Sequence, residues 1–220
     1  MDKLRLIALD GPSGAGKSSA AKRVAERLGW AYLDTGAMFR ATALALQRAG
    51  VSLEDEAGLR AVLDALRLEQ AGAAIFLNGE DVSEAIRTPE ITQFVTPVSQ
   101  DPRVRKILLE QQRAVGAKGG FVVDGRDIGT VVFPGAALKV FLTASVDARA
   151  RRRFLEQQAK GMAMSLEEVA ADIARRDHAD STRAEAPLKK ADDAVELDSS
   201  GLSLDEVVER IVALWRSAKG

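Results

Sequence analysis

Eight consecutive residues, Gly11-Pro12-Ser13-Gly14-Ala15-Gly16-Lys17-Ser18, fit the spacing G-x-x-x-x-G-K-[ST]. Each residue type has a reason to be there. Glycines let backbone N–H groups turn inward toward phosphate oxygens. A helix beginning near Lys17 adds its positive end. The Lys17 ammonium can reach β and γ phosphates, and the Ser18 hydroxyl suits Mg²⁺. The segment Gly11 to Ser19 therefore reads as a cradle for a nucleoside triphosphate. The spacing does not choose among switches, motors and kinases. An Asn-Lys-x-Asp guanine-reading segment is absent, and the chain is short and near neutral, which disfavours a nucleic-acid motor. Small-molecule and nucleotide kinases remain.

Four other groups of residues can do chemistry. Asp34-Thr35-Gly36-Ala37-Met38-Phe39-Arg40 places a hydroxyl and an arginine at a helix start, suited to a second phosphate or equally to a cap with a solvated arginine. Asp124-Gly125-Arg126-Asp127 sets two carboxylates around one arginine. There Asp124 can hold the hydration shell of Mg²⁺, and Arg126 can clamp an acceptor phosphate through two parallel contacts; the alternative is a turn with a local ion pair. Arg175 to Arg183 and the Arg149, Arg151, Arg152, Arg153 group read as charged helix surface or, for the second, as a lid bringing positive charge to a transferring phosphoryl group and excluding water. His178 reads as a surface residue.

Composition narrows the choice. The chain has 220 residues, 31 Lys plus Arg against 32 Asp plus Glu, one His and no Cys. A net charge of −1 gives no bulk attraction to nucleic acid or anionic lipid. Without cysteine there is no disulfide, thiolate nucleophile or cysteine-bound metal. No run approaches the roughly 20 apolar residues of a membrane span, and Leu4 to Leu9 is too short for a secretory apolar region. These features predict a cytoplasmic protein with no membrane or nucleic-acid partner. No heptad seam suggests assembly, so a monomer is expected.

The elements that would position these groups alternate. Leu4 to Leu9 reads as a buried strand, 18–28 as a helix stopped by Gly29, 31–33 as a strand and 37–49 as a helix. Ser52 with Asp55 predicts a capping box for the next helix. From Arg67 the texture changes, and Asn78-Gly79 between β-prone residues signals a hairpin. Residues 67–98 therefore read as an inserted antiparallel subdomain. A helix follows from Pro102, then strands at 121–124 and 138–142, helices at 146–159 and 166–177, a strand at 194–197, and a last helix capped by Ser203 with Glu206. Strands separated by helices predict an α/β fold with a three-layer parallel sheet. The expected division is a core of residues 1–66 and 99–220 with a short lid around 150–165, and the insert at 67–98. In a parallel sheet the crevice lies at the carboxyl ends of the strands, which places Asp34 to Gly36 and Asp124 to Asp127 near the phosphate loop.

Taken together, Gly-Pro-Ser-Gly-Ala-Gly-Lys-Ser, Leu-Asp-Thr-Gly-Ala-Met-Phe-Arg at 33–40, Ile-Arg-Thr at 86–88, Pro-Arg-Val-Arg at 102–105, Asp-Gly-Arg-Asp-Ile-Gly-Thr-Val-Val-Phe-Pro at 124–134 and Arg-Arg-Asp through Asp-Ser-Thr-Arg to Ala-Pro-Leu at 175–188 resemble the bacterial cytidylate kinases. The resemblance runs from about residue 5 to about residue 200. It implies an adenylate-kinase-like P-loop core with a β-rich insert in the monophosphate-binding region. It also implies Mg²⁺-dependent transfer of the ATP γ-phosphate to CMP or dCMP. On it, Gly11 to Ser19 would cradle ATP; Lys17, Asp124 and Arg126 would act in catalysis; Ser18 would meet Mg²⁺ indirectly. Thr35, Arg40 and Arg126 would hold the acceptor phosphate, with Thr35 standing where many members have Ser. Arg105 and Asp127 would read the cytosine edge, Thr96 would lie near the base, Arg176 and Asp180 would reach the ribose, and Arg183 would complete that side. A UMP or dual UMP/CMP kinase, another P-loop small-molecule kinase, a regulatory P-loop NTPase and a non-enzymatic NTP-binding module stay as alternatives.

Overall fold

The computed structural model describes residues 3–159, 161 and 164–218. Lys160, Met162 and Ala163, inside the segment expected to form a lid, lie outside the described residues. The chain divides into two compact units, Met1–Ala31 with Gly119–Gly220, and Tyr32–Lys118.

The first unit is built on strands β1 (Leu4–Asp10), β6 (Phe121–Asp124), β7 (Ala136–Thr143) and β8 (Val195–Asp198), and the division falls inside β2 (Ala31–Asp34). The five strands run in the order β2-β6-β1-β7-β8, and β1 pairs in parallel with both β6 and β7. A central parallel strand is buried on both faces, which explains the unbroken apolar run Leu6 to Leu9, all at 0% exposure. Register does the rest. Leu9 lies opposite Asp124, Asp10 opposite Phe141, and Thr143 opposite Asp198. The carboxyl ends of four strands thus share one edge of the sheet, with β7 and β8 reaching two residues past the position of Asp10.

Helix α1 (Lys17–Leu28) follows β1 directly and ends at Gly29 in the left-handed conformation. Its inward residues Ala20, Ala21, Val24 and Ala25 are small, which lets the helix lie close to β6 and to helix α8 (Leu204–Ser217). The expected capping box of α8 is present: Ser203 Oγ accepts from the Glu206 N–H, and the Glu206 carboxylate accepts from the Ser203 N–H at 2.8 Å. Helices α6 (Val146–Ala159) and α7 (Leu166–Thr182) pack through Ala150, Val169 and Ile173. Sequence periodicity ended the last of these at residue 177. The helix continues because Ser181 and Thr182 satisfy their hydroxyls on the His178 carbonyl, at 3.1 and 2.7 Å, instead of competing with the backbone. Asp180 is therefore a helical residue, not a loop residue.

The second unit holds α2 (Thr35–Ala49), α3 (Glu56–Ala65), a three-stranded antiparallel sheet of β3 (Leu68–Ala71), β4 (Ala74–Leu77) and β5 (Glu80–Asp81), then α4 (Pro89–Gln100) and α5 (Pro102–Gly116). Asn78 (φ 51°) and Gly79 (φ 87°) form the expected two-residue turn between β4 and β5. Two local readings differ. Asp55, not Ser52, caps α3, accepting from the Gly58 N–H at 2.9 Å, because the Ser52 hydroxyl is engaged by Glu54. The β texture stops at Asp81, and residues 89–100 are helical. Thr88 caps that helix and Pro89 opens it, a start signal that the interior Pro97 obscures. Among the described residues no helix is long and apolar enough to cross a membrane.

Candidate active site

The phosphate loop leaves β1 at Gly11, where a Cβ would stand 2.0 Å from the Leu142 carbonyl oxygen. Only glycine fits between the two strand ends. Gly14 and Gly16 follow at φ 79° and 89°. Helix α1 starts from Gly16 without a side-chain cap, so its first N–H groups face the loop's concavity with no side-chain acceptor supplied by the cap. Lys17 is 5% exposed and donates from Nζ to the Pro12 carbonyl at 2.7 Å, folding back over the loop. Burial, reinforced by the nearby Arg126 charge, pulls its pKa down to about 7 against the opposing carboxylates of Asp124, Asp180 and Asp10. A phosphate entering this loop would supply the negative charge that the buried ammonium lacks.

Carboxylates stand at this edge of the sheet. Ser18 Oγ donates to Asp124 Oδ2 at 2.6 Å, joining the first turn of α1 to the end of β6. Asp10, the last residue of β1, accepts from the Ile128 N–H at 2.8 Å and the Gly129 N–H at 2.7 Å. It thereby pins a single π turn, Ile128–Val132, and with it the orientation of Asp127 just before. Burial pushes its pKa up to about 6, although both N–H bonds resist. The aspartate directly before the glycine of the phosphate loop was the available sequence signal.

Arginines and aspartates then pair. Arg126 Nε donates to Asp180 Oδ2 at 2.7 Å; burial works against its charge, but the carboxylates of Asp180, Asp124 and Asp177 together outweigh this and hold the guanidinium charged. Arg183 donates to Asp127 Oδ1 at 3.0 Å and to the Ala186 carbonyl at 2.6 Å. The 54- and 56-residue separations show that the helix carrying Asp180 and the loop after it return to the end of β6. Arg176 bonds to Asp172, four residues earlier on the same helix, at 3.0 Å. Of the arginines read as lid residues, Arg149 is only 4% exposed and donates to the Ser13 carbonyl at 3.0 Å and to Asp177 at 2.6 Å; Arg152 donates to Ser199. Arg151 is exposed.

Thr35, Arg40, Thr96 and Arg105 belong to the second unit. Asp34 caps α2 by accepting from the Ala37 N–H at 2.8 Å and faces Arg40 at 3.4 Å. Its own N–H donates to Gln70 Oε1 at 2.9 Å, a support from β3 that sequence did not suggest. A Cβ at Gly36 would come within 3.2 Å of both Arg40 Nη1 and Asp34 Oδ1. Thr35 is buried beside it. Arg105 lies over the Phe39 ring, 5.6 Å from its centre, and donates to the Ser99 carbonyl at 3.2 Å. Ser99 Oγ in turn donates to the Thr96 carbonyl at 2.9 Å. Helix α2 thus carries Thr35 and Arg40 and seats Arg105 on Phe39, while α4 links Thr96 to Arg105.

The first unit can bind an anion in a backbone cradle and hold a divalent cation through oxygen donors, and each unit carries arginines that can clamp a further anion. The chain matches the family model described as cytidylate kinase over residues 7–217. It is 50% identical to the cytidylate kinase of Geobacter sulfurreducens over 96% of this chain and 92% of that one. It is also 50% identical to the cytidylate kinase of Anoxybacillus flavithermus over 97% of each. Among solved structures, a gluconokinase from Sinorhizobium meliloti superposes with a TM-score of 0.52 at 18% identity, covering 99% of this chain and 96% of that one, a likeness of fold.

Proposed function

The chain belongs to the cytidylate kinase family, and from that premise we propose how its residues divide the transfer of a phosphoryl group from ATP to CMP. The enzyme is a phosphotransferase: an oxygen of the CMP phosphate attacks the γ-phosphorus, the bond to the β–γ bridging oxygen breaks, and CDP and ADP leave. The same site takes dCMP. The attacking oxygen is already anionic, so no general base is required. Catalysis is positioning and charge stabilisation.

Gly11 to Ser19 cradles the ATP phosphates, and Lys17 follows the charge moving between the β and γ groups. The donor set fits Mg²⁺, since the Ser18 hydroxyl is backed by Asp124 at 2.6 Å and both offer hard oxygen. Ser18 and Asp124 would hold that ion, which neutralises β and γ oxygens when bound. Arg40, Arg126 and Thr35 hold the acceptor phosphate. Asp127 accepts from the cytosine amino group, and Arg105 donates to the ring acceptors. Thr96 lies near the base, Arg176 and Asp180 take the ribose hydroxyls, and Arg183 fixes Asp127. Uracil presents a carbonyl where cytosine has its amine, so the buried Asp127 carboxylate would meet oxygen instead of a donor, a strong discriminator. Residues 67–98 serve as the monophosphate-binding insert; of the lid expected around 150–165, Ala150 and Arg152 are held in α6 by packing on α7 and by Ser199. The protein acts as a cytoplasmic monomer.

The observation that carries this reading is Asp127, 5% exposed and held by Arg183 at the end of β6, the strand next to the one that delivers the phosphate loop. An ADP-release assay with Mg-ATP and CMP, dCMP, UMP, AMP and GMP in turn tests it. Strong turnover with CMP and dCMP and weak turnover with UMP is expected. Equal CMP and UMP rates would remove Asp127 from base reading. ADP release independent of any monophosphate would remove the acceptor assignment altogether.

A further inference from the structure

We propose that Arg149 and Ser199 are positioning residues for the donor phosphates: they hold the carbonyls of the phosphate loop outward and so turn its N–H groups toward the anion. The inference rests on the reading of that loop as the ATP cradle.

A loop with glycines at 11, 14 and 16 has the conformational freedom to approach phosphate closely, and for the same reason little intrinsic preference for one set of peptide orientations. In a planar trans peptide the carbonyl of one residue and the N–H of the next point in opposite directions. No peptide bond among the described residues is cis. Fixing the carbonyl of residue 13 outward therefore fixes the N–H of Gly14 inward, and the carbonyl of residue 15 does the same for Gly16.

Side chains hold these carbonyls. Lys17 takes that of Pro12. Arg149 Nη1 takes that of Ser13 at 3.0 Å, its Nε donates to the Ala144 carbonyl at 3.0 Å, and the same Nη1 donates to Asp177 Oδ2 at 2.6 Å. Contact is close, since a Cβ on Gly14 would stand 3.2 Å from the Arg149 Cβ. Ser199, immediately after β8, holds the third. Its Oγ lies 3.1 Å from the Ala15 carbonyl oxygen and 3.0 Å from that of Thr143. Arg152 donates to the same Oγ at 3.1 Å, which leaves the hydroxyl hydrogen to the carbonyls. Ser199 is 2% exposed and Arg149 4%. Side chains so enclosed act through the loop they hold. Two arginines that sequence alone grouped with a lid are here fixed behind the cradle, one directly and one through Ser199.

The test uses the full chain with Ser199→Ala, which deletes one oxygen, and Arg149→Lys, which keeps the charge but not the planar fork. Calorimetry without CMP gives dissociation constants for ATP and for inorganic tripolyphosphate, which has no base or sugar. Steady-state assays give the two KM values, and thermal melting checks the fold. Each variant is expected to weaken ATP and tripolyphosphate by the same factor, on the order of tenfold. KM for ATP should rise while KM for CMP stays within twofold. Weaker ATP with unchanged tripolyphosphate would overturn the proposal, because the side chain would then act on the nucleoside. Unchanged binding of both in Ser199→Ala would overturn it too, as would a loss of ATP binding that only follows a lowered melting point. Lys17→Ala separates the two levels. If it loses tripolyphosphate while Ser199→Ala and Arg149→Lys do not, only the brace falls. If Lys17→Ala binds tripolyphosphate like the parent, the reading of the loop itself fails.

Discussion

The two units hold their charged residues differently. In the first, Asp10, Lys17, Asp124, Asp127 and Arg149 are each 5% exposed or less, with Arg126 the exception at 27% of its side chain, and most of the groups stand at the carboxyl ends of parallel strands. In the second, the Arg40 side chain is 26% exposed, and Arg105 and Thr96 are half-buried on helices α5 and α4. Buried charges in fixed partnerships cost desolvation but reorganise little when charge moves, which suits a transition state. Half-exposed arginines reorganise at little cost, which suits capture of a substrate. The difference predicts that removing a buried charge aimed at the reacting phosphates in the first unit lowers kcat, whereas substitutions in the second chiefly raise KM for CMP.

Lys17→Ala is the strongest test of that division. It removes the one ammonium inside the phosphate loop and should reduce kcat by on the order of a thousandfold. Since the Lys17 ammonium bonds a loop carbonyl of its own segment, the melting temperature should change little. Near-normal turnover with a native melting curve would break the comparison at its most buried point.

Asp10 gives the next largest effect, on stability. Its carboxyl binds a proton more tightly in the fold, at about 6, than in the unfolded chain. Such a group contributes stability that is fully present below the ordinary Asp value near 3.8 and is lost as pH rises through about 6. The loss amounts to about 3 kcal/mol, two pK units at about 1.4 kcal/mol each. Urea unfolding of the parent and of Asp10→Asn at pH 4.5 and pH 7 measures it. The parent's advantage over the variant should shrink between those two pH values. A constant difference would mean that Asp10 does not titrate in the fold.

These residues also mark what the sequence could and could not convey. The phosphate loop was legible because the spacing of its glycines, lysine and serine is itself the geometry. The turn at Asn78-Gly79 and the box at Ser203 and Glu206 were legible for the same reason: local chemistry fixes local conformation. Helix α4 was not, since Pro97 argues against a helix interior and only packing of Ile91 and Val98 overrides it. Arg149 and Ser199 were illegible because their role depends on 136- and 184-residue separations closed by strand order. Asp180 and Arg126 were each picked out, but not that they pair with one another.

The smallest expected effect belongs to the second unit and concerns Arg105. One face of its guanidinium is spent on Phe39 and one donor on the Ser99 carbonyl, so the group is oriented before any substrate arrives. Little rotamer freedom remains to be lost on binding, and the planar fork can meet a ring nitrogen and a carbonyl together. Arg105→Ala should raise KM for CMP by about tenfold, the worth of one charge-assisted hydrogen bond, and leave kcat within about threefold. Arg105→Lys should recover little of this, because an ammonium neither stacks on Phe39 as a plane nor offers two parallel donors. Steady-state kinetics with CMP and ATP varied separately decides it. If kcat falls as far as it does for Lys17→Ala, the second unit shapes the transition state as well, and the contrast between buried, fixed charge and half-exposed, adaptable charge does not separate catalysis from capture.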